Sequence, residues 1–273
     1  MKNFLLATTL ILSGAMASAQ DQSDALVIAT GKPGGGYDKA SQATVVRMGQ
    51  RGWNNLTVLN TKGSDEITLA ACNGKADIFW AQIDAIYARA LDGCNLEPVV
   101  FNGEEFAILM FPPESNNSKL KHLTSDDRIA VDGIGSGTEL FWKTIVGIEN
   151  GDNGTQDTWA TAQKLNVDLK AKTLISAAKS GKITAAIFVR GKSSPDIQTL
   201  LGLGWTMGEF YDKDVNDELF NDKPLYESRE ISYKDENKNV YENYVYVVNS
   251  FVGVSPDQAD NDELKSDLTD SVE

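Results

Sequence analysis

ALVIATGKPGGGYDKASQATVVRM, residues 25–48, sets the pattern for the whole chain. The run from Ala25 to Thr30 reads as a buried strand. GKPGGG closes it, and a helix follows from Tyr37 to Met48 with Ala40, Ala43, Val45 and Val46 on its apolar side. The unit then recurs. Leu56 to Asn60 is a second strand, and TKGS at 61–64 leads into a helix through Ile67, Ala70 and Ala71. Ser64 is its expected N-cap and Asn73-Gly74 its left-handed stop. Ala76 to Ala81 is a third strand, followed by a helix from Asp84 to Leu91 that ends at Asp92-Gly93. Strands alternating with helices at this spacing imply βαβ units and a mostly parallel sheet.

The second half repeats the pattern. Val99-Val100-Phe101 and Phe106 to Phe111 are expected as two strands, the second stopped by Pro112-Pro113. After a polar connector, Arg128 to Asp132 is a strand, and GIGSGT at 133–138 opens a helix carrying Phe141, Trp142, Ile145 and Val146. Residues 150–158 read as a solvated loop. A helix from Thr173 to Ser180 stops at Gly181, and a strand from Thr184 to Val189 ends at Arg190-Gly191. Residues 211–239 look loop-rich, Tyr244 to Val248 is a late strand, and 256–273 form an acidic tail or a final helix. Two α/β lobes follow, with a crossing near 112–127 and a late strand returning to the first lobe. The expected segments are 20–111, 112–235 and 236–273.

Composition narrows the function classes. The 273 residues carry 25 basic against 39 acidic side chains, a net charge of −14, so the chain lacks the positive field that holds nucleic acid or an anionic lipid surface. Residues 1–19 fit a secretory signal: Lys2, an apolar stretch through Leu12, then Ala17-Ser18-Ala19 before Gln20. An uncleaved anchor is the other reading of this stretch. No later run is long enough to insert in a membrane. In an exporting compartment the two cysteines, Cys72 and Cys94, favour a disulfide over a reactive thiol. With one histidine, His122, a Cys/His metal site is excluded, and a Ser-His-Asp triad would have to use a residue in a polar connector. No metal or cofactor is expected.

Three glycine- or serine-rich turns sit between a strand and a helix: GKPGGGY at 31–37, TKGS at 61–64 and GIGSGT at 133–138. In parallel sheets such turns lie at the carboxyl ends of strands, where ligands bind, and helix N-termini there offer backbone N–H groups to an anion. The glycines also serve simply to make tight turns. Nucleotide motifs fail: GKPGGGYDK lacks the Gly-Lys-Ser/Thr ending of a phosphate loop, and Thr138 stands where a dinucleotide fingerprint wants Gly or Ala. The spacing of a hydrolase nucleophile elbow is absent around Ser136.

GKPGGGYDKASQAT, NTKGSDEITLAACNGKADIFWAQIDAIYARA, LKHLTSDDRIAVDGIGSGTELFWKTI and AAKSGKITAAIFVRGKSSPDIQTLL together resemble the TAXI-type solute-binding proteins of TRAP transporters. The resemblance covers about half of the chain after the leader, in the family's order. It implies a type II periplasmic-binding-protein fold, two α/β lobes each with a mostly parallel sheet flanked by helices, joined by a hinge. It implies a non-enzymatic periplasmic protein that closes on glutamate, glutamine or a 2-oxoglutarate-like carboxylate and delivers it to separate membrane transporter subunits. The same fold presenting its ligand to a membrane receptor is the alternative. By position the resemblance places Gly34, Gly35, Gly36 and Tyr37 on the first ligand-facing turn and Thr61, Gly63 and Ser64 on the second. It places Ser136, Gly137 and Thr138 on the facing lobe, with Gln82 and Asp84 reading a ligand ammonium or amide. Arg190, at a strand end, is expected either to pair with a ligand carboxylate or to form a rim or interlobe salt bridge. Asp65, Glu66 and Glu139 are expected to face water, and Phe79, Trp80 and Phe188 to be core.

Overall fold

The computed structural model describes residues 25–151, 156–235 and 237–272; the leader expected over 1–19 lies outside them. Apolar runs set the frame. LVIAT forms β1 (Leu26–Thr30), and IFWAQ forms β3 (Ile78–Gln82), buried at every position. With β2 (Leu56–Asn60) they make a parallel trio in the order β2-β1-β3. Sheets of this kind are covered on both faces. On one side lie α1 (Gly36–Gln50) and α8 (Asp262–Val272), contributing Met48, Leu264 and Leu268 to a core around Ile28 and Trp80. On the other lie α2 (Ser64–Cys72) and α3 (Ile83–Leu91), packing Ile67, Ala70, Ala85 and Ile86 against Phe79.

A second parallel trio, β7-β5-β6, comprises β5 (Arg128–Val131), β6 (Gln163–Asn166) and β7 (Ala185–Arg190). Its faces are covered by α4 (Gly137–Gly151) on one side. On the other lie α5 (Ala171–Lys179) and α6 (Pro195–Gly202). Phe79, Trp80 and Phe188 are fully buried, as expected. Each such side chain stabilises the fold by roughly 1.5–3 kcal/mol or more.

Two long strands, β4 (Glu97–Phe111) and β12 (Val240–Val254), join the trios. They pair antiparallel with each other, β12 also pairs with β3, and β4 with β7. One curled sheet results, β2-β1-β3-β12-β4-β7-β5-β6, with β8 (Thr206–Gly208) beside β4 and β11 (Glu227–Lys234) beside β12. The two strands expected at 99–101 and 106–111 are therefore one. Asn102-Gly103 is a kink and not a break: Gly103 has φ 146°, and the β4–β12 register shifts beside it between Ser250 and Phe251. The late strand is likewise 15 residues, not five. Its early half packs with the second trio and its end with the first.

Other expectations need correction. The span 211–239 contains α7 (Lys213–Asp217), a small hairpin of β9 (Leu219–Phe220) and β10 (Lys223–Pro224), and β11. Helix α4 runs into the expected 150–158 loop, and β6 has no counterpart in the sequence reading. The acidic tail is α8, held by Trp53 Nε1 donating to Asp267 Oδ2 at 2.9 Å. Cys72 and Cys94 form a disulfide that ties the end of α2 to the segment after α3. Among the described residues no helix is long and apolar enough to cross a membrane.

Candidate functional site

The three glycine-rich turns meet. The turn after β1, the turn after β2 and the turn after β5 face one another across a cleft of about 190 Å³. Its lining also takes in Gln82 at the end of β3, Glu105 within β4, and Val189 and Arg190 at the end of β7. These are carboxyl ends of parallel strands, apart from Glu105, which sits where β4 passes from one trio to the other.

The glycines allow the two halves to touch. Gly63 has φ 151°, and a Cβ placed there would lie 2.9 Å from the Ser136 Cα. A Cβ on Gly137 would overlap the Gln82 amide, and one on Gly135, at φ 86°, would lie 2.9 Å from Glu66 Cγ. Only glycine meets both the backbone conformation and the close approach at 63 and 135. The Lys32 ammonium, 3.6 Å from Asp132, adds an ion pair across the same gap.

Of the expected site residues, Gly35, Gly36, Tyr37, Gly63, Ser64, Gln82, Ser136, Gly137, Thr138 and Arg190 line this cleft. Gly34, Thr61 and Asp84 do not. The Gly34 N–H donates to Asp38 Oδ2 at 2.7 Å, and the Thr61 hydroxyl donates to the Thr30 carbonyl at 3.0 Å, so both shape their turns. Asp84 is fully buried outside the cleft lining and accepts the Tyr226 hydroxyl at 3.1 Å. Ser64 is not an N-cap: Gly63 holds that position, and Ser64 opens α2 with its Oγ accepting the Gln82 N–H at 3.4 Å. Ser136 caps α4 instead, accepting the Glu139 N–H at 3.2 Å, which leaves its proton free to donate outward.

Glu139 does not face water. It is 1% exposed, accepts the Gly135 N–H at 2.9 Å and pairs with Lys143 and Lys164, which hold its carboxyl below the usual range against the cost of burial. Asp65 pairs with Arg89 at 3.4 Å, and Glu66 accepts the Lys62 N–H at 3.0 Å. These acids are paired with cations from α3, α4, β6 and the second turn, and none of the three lines the cleft.

Glu105 and Asp132 are the acidic cleft residues absent from the sequence-predicted set; Gly31, Lys32, Lys62 and Val189 also line the cleft and are likewise outside that set. Gln82 Nε2 donates to Glu105 Oε2. Burial pushes the Glu105 carboxyl up, offset by the Gln82 hydrogen bond, by the nearby Tyr37 hydroxyl and by the Arg190 charge. Arg190 lies 3.9 Å from Asp132, the residue that follows β5, the neighbouring strand of its own trio. Tyr37 is pushed well above its ordinary pKa by burial and by the nearby Glu105. Three buried polar atoms here take no conventional hydrogen bond: Arg190 Nε, Gln82 Oε1 and the Tyr37 hydroxyl. Leaving such groups unsatisfied costs roughly 1–3 kcal/mol each. A donor, an acceptor and a hydroxyl thus converge where helices α1 and α2 begin without side-chain caps.

No family model matches the sequence, and no curated protein does. Solved structures match in fold. An ancestral arginine-binding protein bound to arginine aligns with a TM-score of 0.52 at 13% identity, over 91% of this chain and 90% of that one. The GluR0 ligand-binding core in complex with L-glutamate gives 0.51 at 13%, over 92% and 91%. The ATP phosphoribosyl transferase (HisG:HisZ) complex from Thermotoga maritima gives 0.50 at 11%, over 90% and 98%. The fold is that of the type II periplasmic binding proteins, two α/β lobes joined by a hinge. At these identities the likeness is one of fold.

Proposed function

We propose that this chain is an exported solute-binding protein that closes its lobes on a small carboxylate and presents it to a membrane transporter. The observation that carries the reading is the convergence of Arg190 Nε, Gln82 Oε1 and the Tyr37 hydroxyl, buried without hydrogen bonds, on a cleft between two lobes. A ligand carboxylate satisfies Arg190 and the uncapped starts of α1 and α2. A ligand ammonium or amide satisfies Gln82, with Glu105 and Asp132 supplying negative charge. That donor set favours glutamate or glutamine over 2-oxoglutarate, which carries no ammonium. A cleft of about 190 Å³ suits a compact amino acid.

Lobe boundaries are part of the proposal. We place the first lobe at 25–101 with 251–272 and the second at 106–248, so that the hinge is the pair of long strands. Closure brings Gly63 onto Ser136, and the ligand stabilises that state in proportion to its differential affinity. Catalysis is not part of the reading. The described cleft lining has no histidine or cysteine, and His122 is exposed with its Nδ1 accepting the Ser118 N–H at 3.3 Å. A TAXI-type protein working with a TRAP transporter is the form that the sequence resemblance favours. Denaturing the purified protein and identifying released small molecules by mass spectrometry, followed by thermal shifts on refolded protein, tests the proposal. A released or stabilising amino acid supports it. No released molecule, and no shift across amino acids and dicarboxylates, removes it.

A further inference from the structure

Glu149 lies in the last turn of α4 and is 2% exposed, yet its Oε2 is buried without a hydrogen-bond partner. Its Oε1 accepts the Asp157 N–H at 2.5 Å. Asp212, 1% exposed, and Asp214 lie against it, so that one carboxylate oxygen of each lies within 4.8 Å of the other two. None of the three lines the ligand cleft. Among the described residues two ammonium groups lie near the group: Lys121, half exposed, 3.6 Å from Asp212 and 3.3 Å from Asp157, and Lys213, which pairs with Asp217 at 2.9 Å and also feels the Asp214 charge. Negative charge therefore exceeds positive charge around a buried, unsatisfied oxygen, which is costly unless a cation completes it.

The donors define the cation. Oxygen ligands at about 2.3–2.6 Å from a central ion lie at most roughly 5 Å from one another, and these carboxylate oxygens all fall within 4.8 Å. Asp212-Lys213-Asp214 offers carboxylates two residues apart, as calcium loops do, and the negative end of α4 lies beside them. Oxygen-only donors suit a hard ion and not zinc or copper. We propose that Glu149, Asp212 and Asp214 bind calcium or a similar hard divalent cation. The ion ties the end of α4 to the start of α7. Asp212 is preset for this: its Oδ1 accepts the Asp214 and Val215 N–H groups at 2.9 and 3.3 Å. Both elements belong to one lobe, so the cation stabilises the fold without setting ligand affinity.

The Trp159 indole N–H donates to Asp212 Oδ2 at 3.3 Å, which makes Trp159 a built-in sensitiser for terbium. With EDTA-dialysed protein, indole excitation should give Tb³⁺ emission that Ca²⁺ competes away, and Ca²⁺ should raise the melting temperature. Glu149→Gln and, separately, the less buried Asp214→Asn should each weaken Tb³⁺ binding by at least about tenfold and abolish the Ca²⁺ shift. Melting of each variant in EDTA shows that it is folded. No sensitised emission from the wild type overturns the proposal. Emission unchanged in both variants also overturns it, by placing the cation elsewhere on this acidic chain.

Discussion

Asp84→Asn should make the protein more stable, and increasingly so as pH rises. Asp84 is fully buried in the first turn of α3, and burial raises its pKa from 3.8 to about 7, only partly offset by the Tyr226 hydroxyl. Its Oδ1 takes no hydrogen bond, and the nearby Glu105 charge adds repulsion. A carboxyl whose folded pKa is raised holds its proton longer in the folded state than in the unfolded one. Stability therefore falls as pH rises from about 4, the unfolded value, to about 7, and is flat above that. The full displacement corresponds to about 4 kcal/mol, of which more than half falls between pH 5 and pH 8. Asparagine keeps an acceptor for Tyr226 and cannot ionise. Urea unfolding of both proteins at pH 5 and pH 8 reads the effect, because other titrating groups cancel in the difference. The gain of Asp84→Asn over the wild type should be larger at pH 8 by about 2 kcal/mol. An equal gain or loss at the two pH values would refute the reasoning.

Three further perturbations follow from the same geometry. Ser136→Ala should weaken ligand binding by about 1–2 kcal/mol, the scale of a hydrogen bond to a charged group, and cost about 1 kcal/mol of stability as a lost helix cap; unchanged affinity in calorimetry removes Ser136 from the site. Gly63→Ala should cost about 1–3 kcal/mol of stability through its φ of 151° and weaken ligand binding at least about tenfold, because the Cβ meets the Ser136 Cα on closure. Wild-type affinity in that variant would show that this contact is absent from the bound state. Replacing Cys72 and Cys94 by serine should lower stability by about 3 kcal/mol while leaving ligand affinity intact; an unchanged melting temperature would contradict the bridge's role.

The βαβ units were legible because strand, glycine turn and helix recur with clear hydrophobic periods, and each period reports burial directly. What the sequence concealed depends on contacts distant in the chain. Asn102-Gly103 looked like the end of a strand, but pairing with β12, more than 140 residues later, carries β4 through the kink. Glu105 sits in no motif. Its signal was an acidic pair, Glu104-Glu105, beside a strand too apolar to face water. Asp132 had a similar mark, a charge at the carboxyl end of a buried strand directly before a glycine turn. Asp84 was drawn into the site by proximity to Gln82, whereas its partner Tyr226 lies 142 positions away. Glu139 looked solvated because its neutralising Lys164 comes from β6, 25 positions further along the chain.

Isothermal titration of refolded, ligand-free protein with L-glutamate, L-glutamine and 2-oxoglutarate tests the central claim most directly. One of the two amino acids should bind saturably, 2-oxoglutarate should bind more weakly or not at all, and Arg190→Ala should abolish binding. Absence of heat with all three ligands, or binding that Arg190→Ala leaves unchanged, would contradict that claim.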